Sequence, residues 1–231
     1  MRIVIFGANG PTGRLLTRQA LDAGHRVVAV TRQPDDFPLH HRHLTIYAAD
    51  VHDPEAVDRA VAGAGAVLST LGTPFTRKPI ALYSEGIRHI TAAMERHGVK
   101  RIVAVSSSAT EPHRHAEGGF LMNWVMQPLV VATIGRTTYA DMRRMEQHLR
   151  GGDLEWTVVR PSGLFDAPNV TAYDLHEDQA PGIFTGRADL AAALLAQVTD
   201  DRFVRRNVAV TTTEGTPTMW QMLRQEALQR G

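Results

Sequence analysis

The chain has 231 residues, 43% of them hydrophobic, with 25 Lys and Arg against 24 Asp and Glu, which suits one large α/β domain with a substantial core. The formal charge of +1 argues against a nucleic-acid or membrane-surface binder, because such partners need a basic excess on one face. Cysteine is absent, which excludes disulfides, thiolate zinc sites and a cysteine nucleophile, and no apolar run nears the roughly 20 residues of a membrane span. Arg2 enters an apolar run directly, with no basic-then-apolar leader, so a cytoplasmic location is expected.

Ile3 to Phe6 is a continuous apolar run ended by Gly7, which reads as a strand buried on both faces. After a glycine-rich loop, Arg14 to Ala23 sets Leu15, Leu16, Ala20 and Leu21 on one helical face, and Gly24 ends it as a C-terminal cap. Val27 to Val30 and Leu44 to Ala48 read as the second and third strands. Asp53-Pro54-Glu55 starts a helix with a capping acid, a first-turn proline and an acid suited to the dipole. That helix ends near Ala62-Gly63, and Ala66 to Leu71 is the fourth strand. Ala81 to His97 repeats Ile87, Ile90, Ala93 and Met94 at helical spacing and closes at Gly98. Ile102 to Val105 and Trp156 to Val159 are further strands, separated by a helix at Tyr139 to Arg150. Arg187 to Val198 is helical, Asn207 to Val210 makes a seventh strand, and Thr216-Pro217 opens a last helix through Leu228.

Strand and helix alternate from the first residue, and parallel neighbours require such crossovers. The expected architecture is α/β: a Rossmann-type doubly wound parallel sheet with helices on both faces, in one domain spanning 1–231. Two stretches, about 110–138 and 163–186, break the rhythm. Both follow strands at their carboxyl ends, where open α/β sheets bind ligands, so the substrate pocket is expected between them.

The loop Gly7-Ala8-Asn9-Gly10-Pro11-Thr12-Gly13 follows a strand and opens a helix, the context in which such glycines cradle a pyrophosphate. Gly7 permits a tight turn, Gly10 lets backbone approach the phosphates, and Gly13 lets helix and strand pack closely. Thr12 adds a hydroxyl beside free amides and a positive dipole end. The bland alternative is a glycine-rich turn with no ligand. At the tip of the second strand stand Thr31 and Arg32, where an acid would select NAD. Arg32 suits a 2′-phosphate, which favours NADP with NAD as the second choice; as a rival reading it is a solvated surface arginine.

Beyond the loop, the chain carries Ala49-Asp50-Val51, Leu71-Gly72-Thr73, Ser84-Glu85-Gly86-Ile87-Arg88, His97-Gly98-Val99, Ser106-Ser107, Trp156-Thr157-Val158-Val159-Arg160-Pro161 and Arg187-Ala188-Asp189-Leu190. Together these resemble the atypical short-chain dehydrogenases of the NmrA-like NAD(P)-binding family, especially its flavin-reductase-like members of the biliverdin reductase B kind. The resemblance covers about residues 1 to 200. It implies that Asp50 bonds the adenine amino group and Val51 lines the ring. It implies that Leu71, Gly72 and Thr73 pass beneath the ribose and pyrophosphate. Ser106 and Ser107 would stand beside the nicotinamide, with Pro161, Ser162 and Gly163 closing over it. For Asp50 a loop-capping role is the alternative.

Typical short-chain dehydrogenases use Ser, Tyr and Lys, the last two one helical turn apart. Here the set is Ser107, Tyr139 and Arg143. Arginine keeps the charge and can bond the nicotinamide ribose, but it is bulkier and does not relay a proton. Tyr139 is therefore either the general acid or a helix-packing residue. His40, His41 and His43 form a histidine-rich loop without the acid or further histidine of a metal site. His113 and His115 are either proton donors or surface residues, and Met122, Trp124, Val125 and Met126 are either a lid or core.

The leading expectation is an NADPH-dependent oxidoreductase acting on a small flat unsaturated acceptor, as a monomer or homodimer, with no nucleic-acid, membrane or metal partner. A cofactor-sensing protein without turnover is the alternative, and a small-substrate epimerase the third.

Overall fold

The computed structural model describes residues 1–76, 78–111, 135–167 and 169–217, together with Gly119, Trp124, Leu129 and Thr133. Its strands are β1 (Arg2–Phe6), β2 (Arg26–Thr31), β3 (Leu44–Ala48), β4 (Ala66–Ser69), β5 (Arg101–Val105), β6 (Glu155–Pro161), β7 (Gly163–Phe165), β8 (Tyr173–Glu177), β9 (Phe184–Gly186) and β10 (Arg206–Thr212). Its helices are α1 (Pro11–Asp22), α2 (Pro54–Val61), α3 (Leu82–Arg96), α4 (Arg136–Gly151) and α5 (Arg187–Ala196).

The apolar runs form the middle of one sheet in the order β3-β2-β1-β4-β5-β6-β10-β8. Every neighbouring pair from β3 to β10 is parallel. Alternate residues of each strand feed separate cores. Ile3 and Ile5 pack with Leu16 and Ala20 of α1 and Leu190 and Leu194 of α5. Val4 and Phe6 pack with Val57 of α2, Ile87 and Ile90 of α3, and Met145 of α4. Two covered faces explain why the central strands read as continuous apolar runs instead of alternating ones.

Local signals hold where they are chemically complete. Asp53 accepts from the amides of Glu55 and Ala56 and starts α2. Gly24 follows α1 with φ +80, a conformation that costs glycine little. Helix α3 behaves differently, because Ala81 at its N-cap supplies no side-chain bond. The cap comes from α4: Asp141 accepts from the amides of Tyr83 (2.8 Å) and Ser84 (3.4 Å) and from the Ser84 hydroxyl. Arg144 balances the same carboxylate at 2.9 Å.

The expected doubly wound parallel sheet is present, with one unforeseen antiparallel strand added at its edge. β8 runs antiparallel to β10 at the edge. The stretch 163–186 also contains β7 and β9, paired parallel as a small separate sheet. β8 escapes notice because it turns only Tyr173 and Leu175 toward the core, and three-residue strands are too short to show a period. The fourth strand stops at Ser69 instead of Leu71, because its partner β1 ends at Phe6 and Gly7 turns away with φ +74. The predicted last helix lies outside the described residues from position 218 onward. Among the described residues, no helix is long and apolar enough to cross a membrane.

Candidate functional site

Because β1 to β6 are parallel, the segments after them emerge at one edge of the sheet. There the fold gathers the 7–13 loop, Thr31–Arg32, Asp50–Val51, Leu71–Thr73, Ser106–Ser107 and Pro161–Gly163. The strand order reverses between β1 and its two neighbours, which makes the mouth of the glycine loop a topological switch point.

The three loop glycines have different reasons for being glycine. Gly7 has φ +74, and a Cβ there would lie 2.5 Å from the Thr70 carbonyl oxygen. A Cβ on Gly13 would lie 2.2 Å from the Gly7 carbonyl oxygen. Both are demanded by the fold itself. Gly10 is not: its φ is −70 and ψ 164, open to any residue, and its Cβ would meet only the Gly7 oxygen at 3.4 Å. Gly10 is the N-cap of α1 and supplies no side-chain bond; Pro11 follows, and the first turn holds no acid. Among the described residues, the amides of Thr12 and Gly13 have no hydrogen-bond partner. Thr12 is buried. Asn9 accepts from Arg14 Nε at 2.9 Å, so a second cation flanks the loop. A helix N-terminus with free donors and no acid of its own is built for an anion, and the groups present fit a dinucleotide pyrophosphate.

At the β2 tip, the buried Thr31 hydroxyl accepts from the Gln33 amide at 3.1 Å. Arg32 is exposed, and among the described residues it forms no ion pair or hydrogen bond. Asp50 does cap its loop, through Oδ1 and the His52 amide at 2.9 Å. Its second oxygen remains for another partner, so the two readings of Asp50 are compatible. Val51 is buried against α3, where Gly86 makes room for it and for Leu71. Gly72 is open, with nothing within 4 Å of a Cβ.

The other end of the edge is more constrained. Ser106 turns its hydroxyl inward to Glu146 at 2.7 Å. Ser107 accepts from the Ala109 amide at 3.2 Å and starts a short 3-10 turn, Ser108–Thr110. Tyr139 is buried on α4 beside Ser107. Burial raises the Tyr139 pKa, and Ser107 offsets only part of that rise. Arg143 does not serve Tyr139 with its charge; its guanidinium donates to the Thr110 carbonyl at 3.0 Å. Phe75 lies edge-to-face on Tyr139 with ring centroids 5.8 Å apart, and its ring is 51% exposed. Pro161 ends β6. The Ser162 hydroxyl donates to the Gly182 carbonyl at 3.1 Å, and the Gly163 amide to the Ile183 carbonyl at 2.9 Å. These bonds fasten the β6–β7 corner to the segment leading into β9.

The sequence reading misses a buried ionic cluster. Arg160 sits in β6 with 1% of its side chain exposed and pairs with Glu146 of α4 and with Glu111. Arg150 bonds Glu146 at 3.0 Å. Burial alone would lower the Arg160 pKa, but the bonds to Glu146 and Glu111 outweigh it and raise the pKa. The available signal was an arginine inside an apolar strand, which demands a buried anion.

Tyr83 was also missed. It is buried at the start of α3, and desolvation pushes its pKa from 10.0 up to about 12, against a hydrogen bond with the Thr73 backbone. A raised folded-state pKa contributes stability that is full below the unfolded value and lost as pH rises through the folded one. Stability is therefore expected to fall by about 2–3 kcal/mol between the two values, from pH 10.0 to about 12. Denaturant titrations across that window check this, and Tyr83→Phe should flatten the slope.

The rings of His41 and His43 lie tilted to each other with centroids 5.4 Å apart. Among the described residues, no cluster of three or more His, Asp or Glu could hold a metal. Trp124 is exposed. His113, His115, Met122, Val125 and Met126 lie outside the described residues.

The pattern of the NAD(P)H-binding family matches residues 7–201, which take in the glycine loop, Arg32, Ser107 and α4. The chain belongs to that family. The Mycobacterium bovis protein Mb2073c is 31% identical over 166 residues, 71% of this chain. The chain spans only 15% of that relative's length. A short-chain dehydrogenase/reductase of Veillonella parvula, solved in complex with NADP, superposes with a TM-score of 0.75 at 19% identity, covering 92% of this chain and 95% of that one. ChuY of Escherichia coli O157:H7, an anaerobillin reductase, superposes at 0.72 with 20% identity, covering 94% and 100%. These two solved structures share the chain's fold.

Proposed function

We propose that the chain is an NADPH-dependent oxidoreductase that reduces a small, flat, unsaturated acceptor such as a flavin, a quinone or a natural-product carbonyl. The supporting observation is the shared sheet edge. The free amides of Thr12 and Gly13 stand at the α1 N-terminus, and the Ser107–Tyr139 pair lies on the same edge with the exposed Phe75 ring beside it.

In this reading Gly7, Asn9, Gly10, Pro11, Thr12 and Gly13 hold the pyrophosphate. Arg32 pairs with the 2′-phosphate, Asp50 and Val51 take the adenine, and Leu71, Gly72 and Thr73 line the ribose. Bound NADPH supplies the hydride. Ser107, Arg143 and the Pro161–Gly163 corner flank the nicotinamide end, and Phe75 offers a face to a planar acceptor. The raised Tyr139 pKa keeps the phenol protonated. It can donate a hydrogen bond, but without an adjacent cation it is a weak acid. Acceptors that draw their proton from solvent suit this site.

The test mixes the protein with NADPH and a panel of flavins, quinones and enones while nicotinamide absorbance is followed. Acceptor-dependent oxidation supports the reductase. Tight NADPH binding with no oxidation by any acceptor supports the other reading, a cofactor-sensing protein, which the commitment of Arg143 to the Thr110 carbonyl favours. The cofactor preference has its own measurement. Arg32→Asp is expected to weaken NADPH binding by about 10–100-fold, the worth of one charge-assisted contact, and to spare NADH. Equal losses for both cofactors would remove Arg32 from the 2′-phosphate site.

A further inference from the structure

Directly behind Ser107 lies one buried carboxylate. Glu146 Oε1 accepts from the Ser106 hydroxyl at 2.7 Å, the Thr110 hydroxyl at 3.2 Å and Arg160 Nε at 3.1 Å. Its Oε2 accepts from Arg150 at 3.0 Å and from the other arm of Arg160. Two arginines already balance the charge, so neutralisation does not require the two hydroxyls. What the hydroxyls share is their place in the chain: Ser106 comes just before Ser107, and Thr110 ends the turn that Ser107 starts. One anion therefore grips the backbone on both sides of Ser107.

The grip sets two other groups. The Thr110 carbonyl receives Arg143. Tyr139 lies two turns before Glu146 on the same helix. Inside the turn, the Ser107 oxygen accepts from the Ala109 amide and the Ser107 carbonyl from the Thr110 amide at 3.1 Å, while the single Thr110 hydroxyl proton is shared between that carbonyl at 2.8 Å and Glu146 at 3.2 Å. The Ser107 oxygen thus accepts from Ala109, which leaves its proton to be directed to the Tyr139 side.

We propose that Glu146 is a positioning residue: through Ser106 and Thr110 it holds Ser107 and Arg143 in the arrangement that orients the nicotinamide and acceptor. This rests on the reductase reading above. The mechanism is preorganisation, in which a group near the chemistry is held by a second set of bonds.

The test cuts the two threads and leaves the Arg160–Glu146 pair intact. Ser106→Ala/Thr110→Val is compared with the parent by thermal melting, NADPH titration, emission of bound NADPH, and steady-state kinetics with an acceptor the parent reduces. The expected result is a kcat lower by about tenfold or more, with acceptor KM and NADPH Kd within about threefold and the melt nearly unchanged. Thr110→Ser, which keeps the hydroxyl, should retain most of the parent kcat. A folded double variant with parental kcat overturns the proposal; so does a parallel fall of kcat, affinity and melting temperature, which marks a purely structural role. Should the double variant not fold, Thr110→Val alone carries the same comparison. Should the parent reduce no acceptor, the reductase reading fails, and the emission of bound NADPH decides the positioning role. A shift in the variant supports it, and an unshifted spectrum overturns it.

Discussion

Gly10→Ala is expected to weaken NADPH binding by about a hundredfold or more while leaving thermal stability within about 1 kcal/mol of the parent. The fold has room for the methyl: φ is −70, ψ is 164, and the new Cβ meets only the Gly7 oxygen at 3.4 Å. Alanine is a poorer N-cap than glycine, but it also lowers the entropy of the unfolded chain, and these effects oppose each other. In the proposed site the ligand would have no such room: a methyl at the mouth of α1 would push a pyrophosphate off the amides of Thr12 and Gly13. Losing two charge-assisted bonds, each worth about 1.5 kcal/mol or more, corresponds to about two decades in affinity. Gly13→Ala is the contrasting control. Its Cβ would sit 2.2 Å from the Gly7 oxygen and 2.8 Å from the Ala8 backbone, so binding and about 1–3 kcal/mol of stability should be lost together. Calorimetric titration and melting of both variants provide the comparison. Parental NADPH affinity in Gly10→Ala would remove the loop from the cofactor site.

Removing the Arg160 guanidinium is the second large effect. Arg160→Met should destabilise the protein by about 3 kcal/mol, because Glu146 loses its two-armed partner while remaining buried. Arg150 still reaches Glu146 at 3.0 Å, which keeps the expectation at the low end of the range for a broken buried pair. Arg160→Met/Glu146→Gln should regain more than half of that loss. The neutral amide no longer demands a cation, and its oxygen can still accept from Ser106 and Thr110. Urea titrations of the parent, single and double variants measure all three. A double variant less stable than the single would show that the charge on Glu146 is satisfied without Arg160.

Both predictions depend on features that differ in how far the sequence reveals them. Gly7-x-x-Gly10-x-x-Gly13 could be read directly, since its requirements are local: a strand that ends, a positive φ, and a helix that begins. The Asp53-Pro54 start of α2 could be read for the same reason, as donor and acceptor lie within three residues. The β8 edge could not. Tyr173 and Leu175 meet the core only because β10 is already in place to pair with them. The Glu146 cluster stayed hidden as well. Its members come from the segment just after β5, the 3-10 turn and its end, α4 and β6, and the sequence marks only that Arg160 is an unusual strand residue.

The parallel core of the sheet, the strand–glycine loop–helix unit at the end of β1 and the arginine at the tip of β2 were all legible from the residues alone. They were so because backbone period, capping and glycine geometry act over a few residues. The partners of the buried polar groups emerge only once the layers have packed. Packing turned Arg143 toward the Thr110 carbonyl, gave α3 its cap from Asp141, and spent the Ser106 hydroxyl on Glu146. Those choices follow from which side chains are brought within hydrogen-bond distance once the layers pack. A buried donor or acceptor must be satisfied by whatever is there, however far away it lies in the chain.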